Sequence, residues 1–256
     1  MEPGLAESDA NPFPSEWYDF ATADHFWLRW RIAAFRQTLK RAGLSTDLPW
    51  RGADIGCGAG VTLRQFERTT GWTVDGFDIN AELFGQGRPV AGNVEFYDIR
   101  EKRSDLSESY DFLILFDVIE HIEEPVAFLR DANFHLKKDG YVFVNVPAVQ
   151  ALYSRYDVAA GHFVRYDKPS LSAVLSRSGL RPVRMDYWGF TLLPVAVLRK
   201  LILRGLFRDE DVIRKGFAEP GYLVKNALNL MQRFEGLFPG PLPLGTSLIA
   251  IARKSG

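Results

Sequence analysis

Cysteine is nearly absent: the 256-residue chain has one, Cys57. A single thiol forms no intramolecular disulfide and builds no Cys-rich zinc site, so a reducing compartment, and a cytoplasmic location, is expected. An excess of either charge is also missing. The 31 Lys+Arg residues against 32 Asp+Glu leave a net charge of −1, with no global attraction to phosphate backbones or anionic membranes. Long apolar runs are lacking as well. The longest uncharged stretch, Gly236 to Ala252, carries three prolines and three glycines, which a membrane helix of roughly 20 residues would not tolerate. No charged-then-apolar signal segment opens the chain. Fibres, secreted disulfide knots and membrane spans are excluded on these grounds. With 46% hydrophobic and 25% charged residues, the chain reads as a globular enzyme or binding protein.

Residues 1–15 (MEPGLAESDANPFPS) read as a loose arm. Leu28, Ile32, Phe35 and Leu39 fall at i, i+4, i+7 and i+11, which predicts a helix that Gly43 ends. Strands and helices then alternate. Strands are expected at Arg51–Ile55, Trp72–Asp78, Asn93–Asp98 and Tyr110–Phe116, with a helix over Val61–Arg68. Val126, Leu129 and Leu136 mark the next helix, which Gly140 should stop before a strand at Tyr141–Val146. Asp167 caps a helix over Pro169–Ser178 that Gly179 closes, and two more strands fit Pro182–Tyr187 and Ser247–Arg253. The alternation implies a mostly parallel α/β sheet with helices on both faces. Residues 1–48 stand apart as an N-terminal segment, and 49–256 form one domain with an irregular insertion at about 190–245.

The sharpest local signal is Ala53-Asp54-Ile55-Gly56-Cys57-Gly58-Ala59-Gly60. Between a strand and a helix it gives a turn without Cβ atoms at three alternating positions, so backbone approaches a ligand closely. The spacing G-x-G-x-G is neither the dinucleotide fingerprint nor a P-loop. Asp78 ends the second strand, where an acid can accept hydrogen bonds from both ribose hydroxyls, or simply cap the turn at Asn80. Asp98 ends the third strand, where it could meet an adenine amino group. Together these describe a nucleoside site without a phosphate clamp.

Four segments carry a resemblance: ADIGCGAG (53–60), VDGFDIN (74–80), EFYDI (95–99) and FDVIEHIEEP (116–125). With HLKKDGYVFVNVPA (135–148) they resemble the class I S-adenosylmethionine-dependent methyltransferases over about residues 24–254, and bacterial enzymes like the ubiquinone-pathway O-methyltransferases in particular. The resemblance implies a Rossmann-like, seven-stranded sheet with a helical insertion before the last strand. It implies that the glycine turn (Asp54, Gly56, Cys57, Gly58, Gly60) holds the methionine part of S-adenosylmethionine, Asp78 the ribose, Ile79, Asp98 and Ile99 the adenine region, and Phe116 and Asp117 the cofactor's edge. Segments similar to His25-Phe26-Trp27, with Arg29 and Arg31, close over the cofactor in that family, so residues 1–48 would include a lid helix. Packing of these aromatics on the sheet is the alternative.

Methyl transfer from a sulfonium needs alignment, exclusion of water and removal of a proton. Of the four histidines, His135 reads as structural near a helix end, whereas His121 and His162 follow strands at the expected transfer face. Either neutral imidazole could accept a proton, or orient a loop. Asp117, Glu120, His121 and His162 also form an O/N set similar to those holding a divalent cation such as Mg in ubiquinone-pathway and small-RNA methyltransferases. Tyr153, Tyr156 and Tyr166 are candidates for the acceptor pocket. In Leu192–Phe207, Arg199, Lys200, Arg204 and Arg208 would share one helical side. That helix could cover the substrate, touch a membrane surface through 192–207, or pack as ordinary core.

The leading expectation is methylation of an oxygen, or of a nitrogen as second choice, on a small or carrier-bound acceptor, with His162 or His121 as base. An RNA acceptor with a metal site and a non-catalytic cofactor-binding scaffold are the alternatives. Balanced charge argues against nucleic acid. Sequence leaves the acceptor's identity and the oligomeric state open.

Overall fold

The run Tyr110–Phe116 alternates between two apolar layers: Leu113 and Leu115 pack into one core cluster, Phe112, Ile114 and Phe116 into the other. A strand hydrophobic on both faces must be central to a covered sheet. In the computed structural model, which describes residues 25–80, 91–203, 221–238 and 240–255, it is. The elements in chain order are α1 (Phe26–Arg41), β1 (Arg51–Ile55), α2 (Val61–Glu67), β2 (Thr73–Asp78), β3 (Val94–Phe96), β4 (Tyr110–Phe116), α3 (Pro125–Ala132), β5 (Leu136–Pro147), α4 (Arg155–Ala159), α5 (Lys168–Arg177), β6 (Leu180–Trp188), α6 (Leu193–Leu203), α7 (Tyr222–Gly236) and β7 (Ser247–Lys254). They form one seven-stranded sheet in the order β3-β2-β1-β4-β5-β7-β6. The last strand, β7, runs antiparallel to both β5 and β6, and the remaining pairs are parallel. The strand order reverses between β1 and β4, and the glycine turn after β1 and Asp117 after β4 both lie at this switch point, where open α/β sheets bind ligands.

Helices α3 and α5 cover one face through Leu129, Leu171 and Leu175. The other face is covered by α1 and α2, with Phe35 fully buried edge-on against Phe66, Phe116 and Phe143. The helix expected as a lid is therefore also core. Capping follows the sequence: the side chain of Asp167 accepts the Ser170 N–H at 2.8 Å to start α5, and Gly179 closes it at φ 83°.

Several boundaries differ from expectation: β3 is shorter than Asn93–Asp98 and β6 longer than Pro182–Tyr187. The largest difference is at Leu136, expected on the helix that Gly140 should stop: α3 ends at Ala132 and Leu136 opens β5. The pairing jumps from Tyr110↔Leu136 to Phe112↔Tyr141, so residues 137–140 bulge out of register. Gly140 serves that bulge: a Cβ there would stand 2.7 Å from Leu136 Cδ1 and 2.9 Å from the Asp111 carbonyl. The last strand holds the bend, since Lys254 Nζ donates to the carbonyls of Asn133 and Leu136 at 2.9 and 2.6 Å.

In the insertion, a 3-10 turn at Phe190–Leu192 leads into α6, and α7 returns toward β7. Buried Glu235 of α7 accepts the backbone N–H groups of Gly189 (2.7 Å) and Thr191 (3.2 Å), tying α7 to that turn. No helix among the described residues is long and apolar enough to cross a membrane.

Candidate active site

Gly56, Gly58 and Gly60 all adopt left-handed backbone, with φ of 74°, 52° and 71°, conformations that L side chains rarely take. The turn is anchored to β2: the N–H groups of Gly56 and Cys57 donate to the Phe77 carbonyl at 2.8 and 3.1 Å. Cys57 is buried against Gly76, where a Cβ would meet its sulfur at 2.9 Å, and burial pushes the thiol's pKa up. It is a small packing residue inside the turn. Asp78, at the end of β2, accepts the Gly58 N–H on Oδ2 (2.7 Å) and the Asn80 N–H on Oδ1 (2.9 Å). Each carboxylate oxygen keeps a lone pair for a ligand hydroxyl. Burial raises Asp78, and the backbone N–H groups of Asn80, Gly58 and Ile79 oppose that. Asp54, 2% exposed in β1, is pushed up to about 7 by burial; Arg31 lowers it and the Asp78 charge adds to the rise.

Ile79 presents an exposed apolar side chain next to Asp78. Asp98 is engaged locally, accepting Arg100 Nε at 2.9 Å from both oxygens; burial pushes it up, but the Arg100 hydrogen bonds and charge leave it lowered. Ile99, expected at the adenine region, and Phe116, expected at the cofactor's edge, place their side chains in the two core clusters. His135 is fully buried and paired with Tyr97 Oη at 2.7 Å from Nε2, a structural contact between β5 and the segment after β3.

At the end of β4, Asp117 has left-handed backbone (φ 60°) and a doubly held carboxylate. Arg31 Nη1 donates to Oδ2 at 2.6 Å and Asn145 Nδ2 to Oδ1 at 2.6 Å. The network runs on, because Trp188 Nε1 donates to Asn145 Oδ1 at 2.8 Å and Arg31 Nη2 to Thr62 Oγ1 at 2.9 Å. Arg31 thereby joins α1 to the first turn of α2 and to the end of β4, with its guanidinium over the Phe116 ring.

Next to it the 3-10 turn Ile119–His121 brings Glu120 and His121 to His162, which arrives from the loop after α4. One potential ligand atom from each of these three residues lies within 4.8 Å of the other two. The two imidazoles meet edge to face, centroids 4.7 Å apart. Glu120 is fully buried, and neither carboxyl oxygen has a hydrogen-bond partner among the described residues. Burial, then the Asp117 charge, raises it well above the ordinary carboxylate range. His121 is lowered to about 3, by burial and then by His162, so it stays neutral near pH 7. Asp117, expected as a fourth ligand, is committed to Arg31 and Asn145 instead.

His162 is oriented from behind. Its Nδ1 lies 3.0 Å from Asp157 Oδ1, which also accepts Arg165 Nε at 2.8 Å, while the Ser154 N–H holds Oδ2 at 2.9 Å. Burial alone would raise Asp157; His162 and Arg165 overturn that and hold it at about 2. A carboxylate at Nδ1 places the proton there and leaves Nε2 as the acceptor. Tyr153 Oη donates to the His162 carbonyl at 2.6 Å, so Tyr153 positions the loop.

Asp117, Glu120, His121 and His162 border a cavity of about 270 Å³. Phe26 and Trp27 of α1, Val195 and Arg199 of α6, and Leu228 of α7 wall it. Of the three tyrosines expected in the acceptor pocket, Tyr156 lines the cavity, whereas Tyr166 sits in the core with its Oη 3.4 Å from the Ile119 carbonyl. Of the four cations expected on one helical side, Arg199 turns to the cavity and Lys200 Nζ donates to the Ala151 carbonyl at 2.6 Å, while Arg204 and Arg208 lie outside the described residues. A wider crevice of about 710 Å³ between α1, β6 and α7 contains none of the expected site residues.

Arg31, Asn145, Asp157 and Arg199 are the residues that sequence reading left without their roles. Asn145 and Asp157 had a legible signal: a polar side chain inside the apolar run VFVNVP, and an acid at position N3 of a helix that Ser154 caps. Arg31 and Arg199 had none, because their partners come from distant segments.

Comparison with known proteins identifies the family and the fold. The family described as "Methyltransferase domain" matches residues 27–184. The mitochondrial ubiquinone biosynthesis O-methyltransferase of Arabidopsis thaliana is 28% identical over 149 residues, 53% of this chain and 46% of that protein, so the match spans less than half the relative's length. Among solved structures, Haemonchus contortus phosphoethanolamine N-methyltransferase 2, in complex with S-adenosyl-L-methionine, superposes with a TM-score of 0.55 at 16% identity, covering 86% of this chain and 52% of that one. The [4+2]-cyclase SpnF superposes equally well, with a TM-score of 0.55 at 19% identity over 88% of this chain and 82% of that one. At such identities the likeness is one of fold.

Proposed function

The chain belongs to the methyltransferase-domain family, and from that premise we propose that it transfers a methyl group from S-adenosylmethionine to a hydroxyl oxygen of a small or carrier-bound acceptor, a nitrogen being the second choice. The residues fit the cofactor. The glycine turn leaves a cradle that side chains would fill, since a Cβ at Gly56 would stand 2.9 Å from Val118 Cγ2. Asp78 has lone pairs left for ribose hydroxyls, and Ile79 offers an apolar surface to the base. Arg31 fixes Asp117 between this turn and the cavity. When bound, S-adenosylmethionine supplies a methyl group on a sulfonium, a leaving group that needs no acid assistance.

The observation that carries the reading is the Asp157–His162 pair at the edge of the cavity. A neutral imidazole held with its Nδ1–H on a carboxylate presents Nε2 to accept the acceptor's hydroxyl proton as the oxygen attacks the methyl carbon. His121, lowered to about 3 by its burial and then by His162, packs edge-on against the His162 ring. Phe26, Trp27 and Leu228 exclude water and orient an apolar acceptor, which favours a small molecule over RNA.

A divalent cation is a second reading, favoured by the unpartnered buried carboxyl group of Glu120 beside two imidazoles. With Asp117 withdrawn, one oxygen and two nitrogen ligands suit a transition-type ion better than Mg. Glu120, His121 and His162 would hold it, and it would lower the pKa of the acceptor hydroxyl. Calorimetry with S-adenosylhomocysteine tests the cofactor site, and absence of binding overturns the whole reading. Titration with Mn or Zn, repeated on Glu120→Gln, tests the cation: binding that is lost in the variant supports it, and full turnover in EDTA removes it and leaves His162 as the base.

A further inference from the structure

We propose that Arg199 selects the acceptor, and that the acceptor carries a carboxylate on an apolar body. This rests on the methyl-transfer reading of the same cavity and names the class of substrate it takes.

The argument starts from the cavity's charges. Asp117 is neutralised by Arg31 at 2.6 Å, and Arg165 by Asp157 at 2.8 Å. Arg199 has no such partner. Among the described residues no carboxylate stands within ion-pair distance of it, and its contact is the face of the Tyr156 ring, 4.4 Å from guanidinium carbon to centroid. The acid whose charge reaches it, Asp157, is already shared between Arg165 Nε and His162 Nδ1. The neighbouring Arg165 charge works against it. A guanidinium keeps its proton in any protein environment, so among the described residues α6 holds a cation without a counter-charge against a largely apolar cavity. Burial costs such a charge unless an anion arrives.

Geometry narrows the anion. The Arg199 guanidinium carbon sits over the Tyr156 ring, its N–H groups have no acceptor among the described residues, and a guanidinium's N–H fork matches a planar carboxylate with two parallel hydrogen bonds. Charge narrows it further. One unpaired cation balances one negative charge, whereas a phosphate monoester, at about −1.5 to −2, would leave an excess. The walls supplied by Phe26, Trp27, Leu192, Val195 and Leu228 suit an apolar body between that acid group and the hydroxyl placed at His162. Lys200, the next residue, is spent outside on the Ala151 carbonyl, so the sequence pair Arg199-Lys200 divides its work between pocket and scaffold.

The test uses the full chain saturated with S-adenosylhomocysteine and three fluorescent probes: a hydroxynaphthoate, the matching hydroxynaphthamide, and naphthyl phosphate. The proposal expects the wild type to bind the acid about tenfold or more tighter than the amide, the scale of charge-assisted hydrogen bonds, and tighter than the phosphate. Arg199→Gln should abolish the acid-over-amide preference, and Arg199→Lys should keep part of it, because charge returns without the planar fork. A side chain that merely braces Tyr156 would change both affinities together and leave their ratio alone. Equal binding of acid and amide by the wild type, a preference that survives Arg199→Gln, or a stronger preference for the phosphate overturns the proposal. S-adenosylhomocysteine affinity, measured in parallel, should be the same in all three proteins. Its absence in the wild type would overturn the methyl-transfer reading itself, a separate outcome from loss of the acid preference.

Discussion

At Asp117 the backbone takes a left-handed turn that few aspartates adopt, and the carboxylate gains Arg31 and Asn145 in return. The same event keeps Asp117 apart from the cluster of Glu120, His121 and His162, so three of the four residues expected together from the sequence meet in space. Two substitutions separate binding from chemistry at this scale. Asp78→Ala removes the acceptor at the end of β2, and affinity for S-adenosylhomocysteine should fall by about 1–3 kcal/mol by calorimetry; an unchanged affinity would take Asp78 out of the ribose site. Asp157→Asn leaves the amide near His162 but offers Nδ1 no anion, so the proton-accepting tautomer loses its support. Turnover should drop on the order of 10²-fold with little change in KM for S-adenosylmethionine. A variant with normal kcat would show that His162 is not the base.

Elements explain what was legible and what was not. β1 and β4 matched their expected spans at both ends, because a buried parallel strand is apolar on both faces and its ends are marked by the residues that leave the sheet. The helix of α5 was legible from its cap, Asp167, and its closing glycine. Leu136 was misplaced because a single apolar side chain four residues before a glycine fits either period, and only the pairing with Tyr110 decides it. The insertion was the least legible part, since what holds it is long-range. Glu235 lies 46 residues from Gly189, yet its carboxylate takes two backbone N–H groups of the 189–191 turn. Glu235→Ala should leave those donors unpaired at a cost of about 1–3 kcal/mol. Hydrogen exchange should rise at Gly189 and Thr191 while the amides of β4 keep their protection; unchanged exchange at the turn would show that α7 is anchored by packing alone.

Over the whole molecule, two buried acids make stability depend on pH in opposite senses, Asp157 through its partners His162 and Arg165 and Asp54 through its burial. Asp157 has its pKa depressed to about 2, so its contribution is present above the unfolded value near 4 and is lost as pH falls through 2. Asp54 is raised to about 7, so its contribution is fully present below the unfolded value and is lost as pH rises through 7. A pKa raised from the ordinary carboxylate value to about 7 corresponds to on the order of 4 kcal/mol between pH 4 and 8. Ionisation of the buried Asp54 carboxyl group therefore works against the folded state near neutral pH. Asp54→Asn isolates the effect, because the amide matches the neutral acid in shape and does not titrate. Denaturant unfolding of the two proteins without ligand should give the variant a growing advantage from pH 4 to pH 8, with the curves parallel above about pH 8. A difference in stability that stays flat across that range would mean that Asp54 ionises in the folded protein much as it does in the unfolded chain, with Arg31 offsetting its burial.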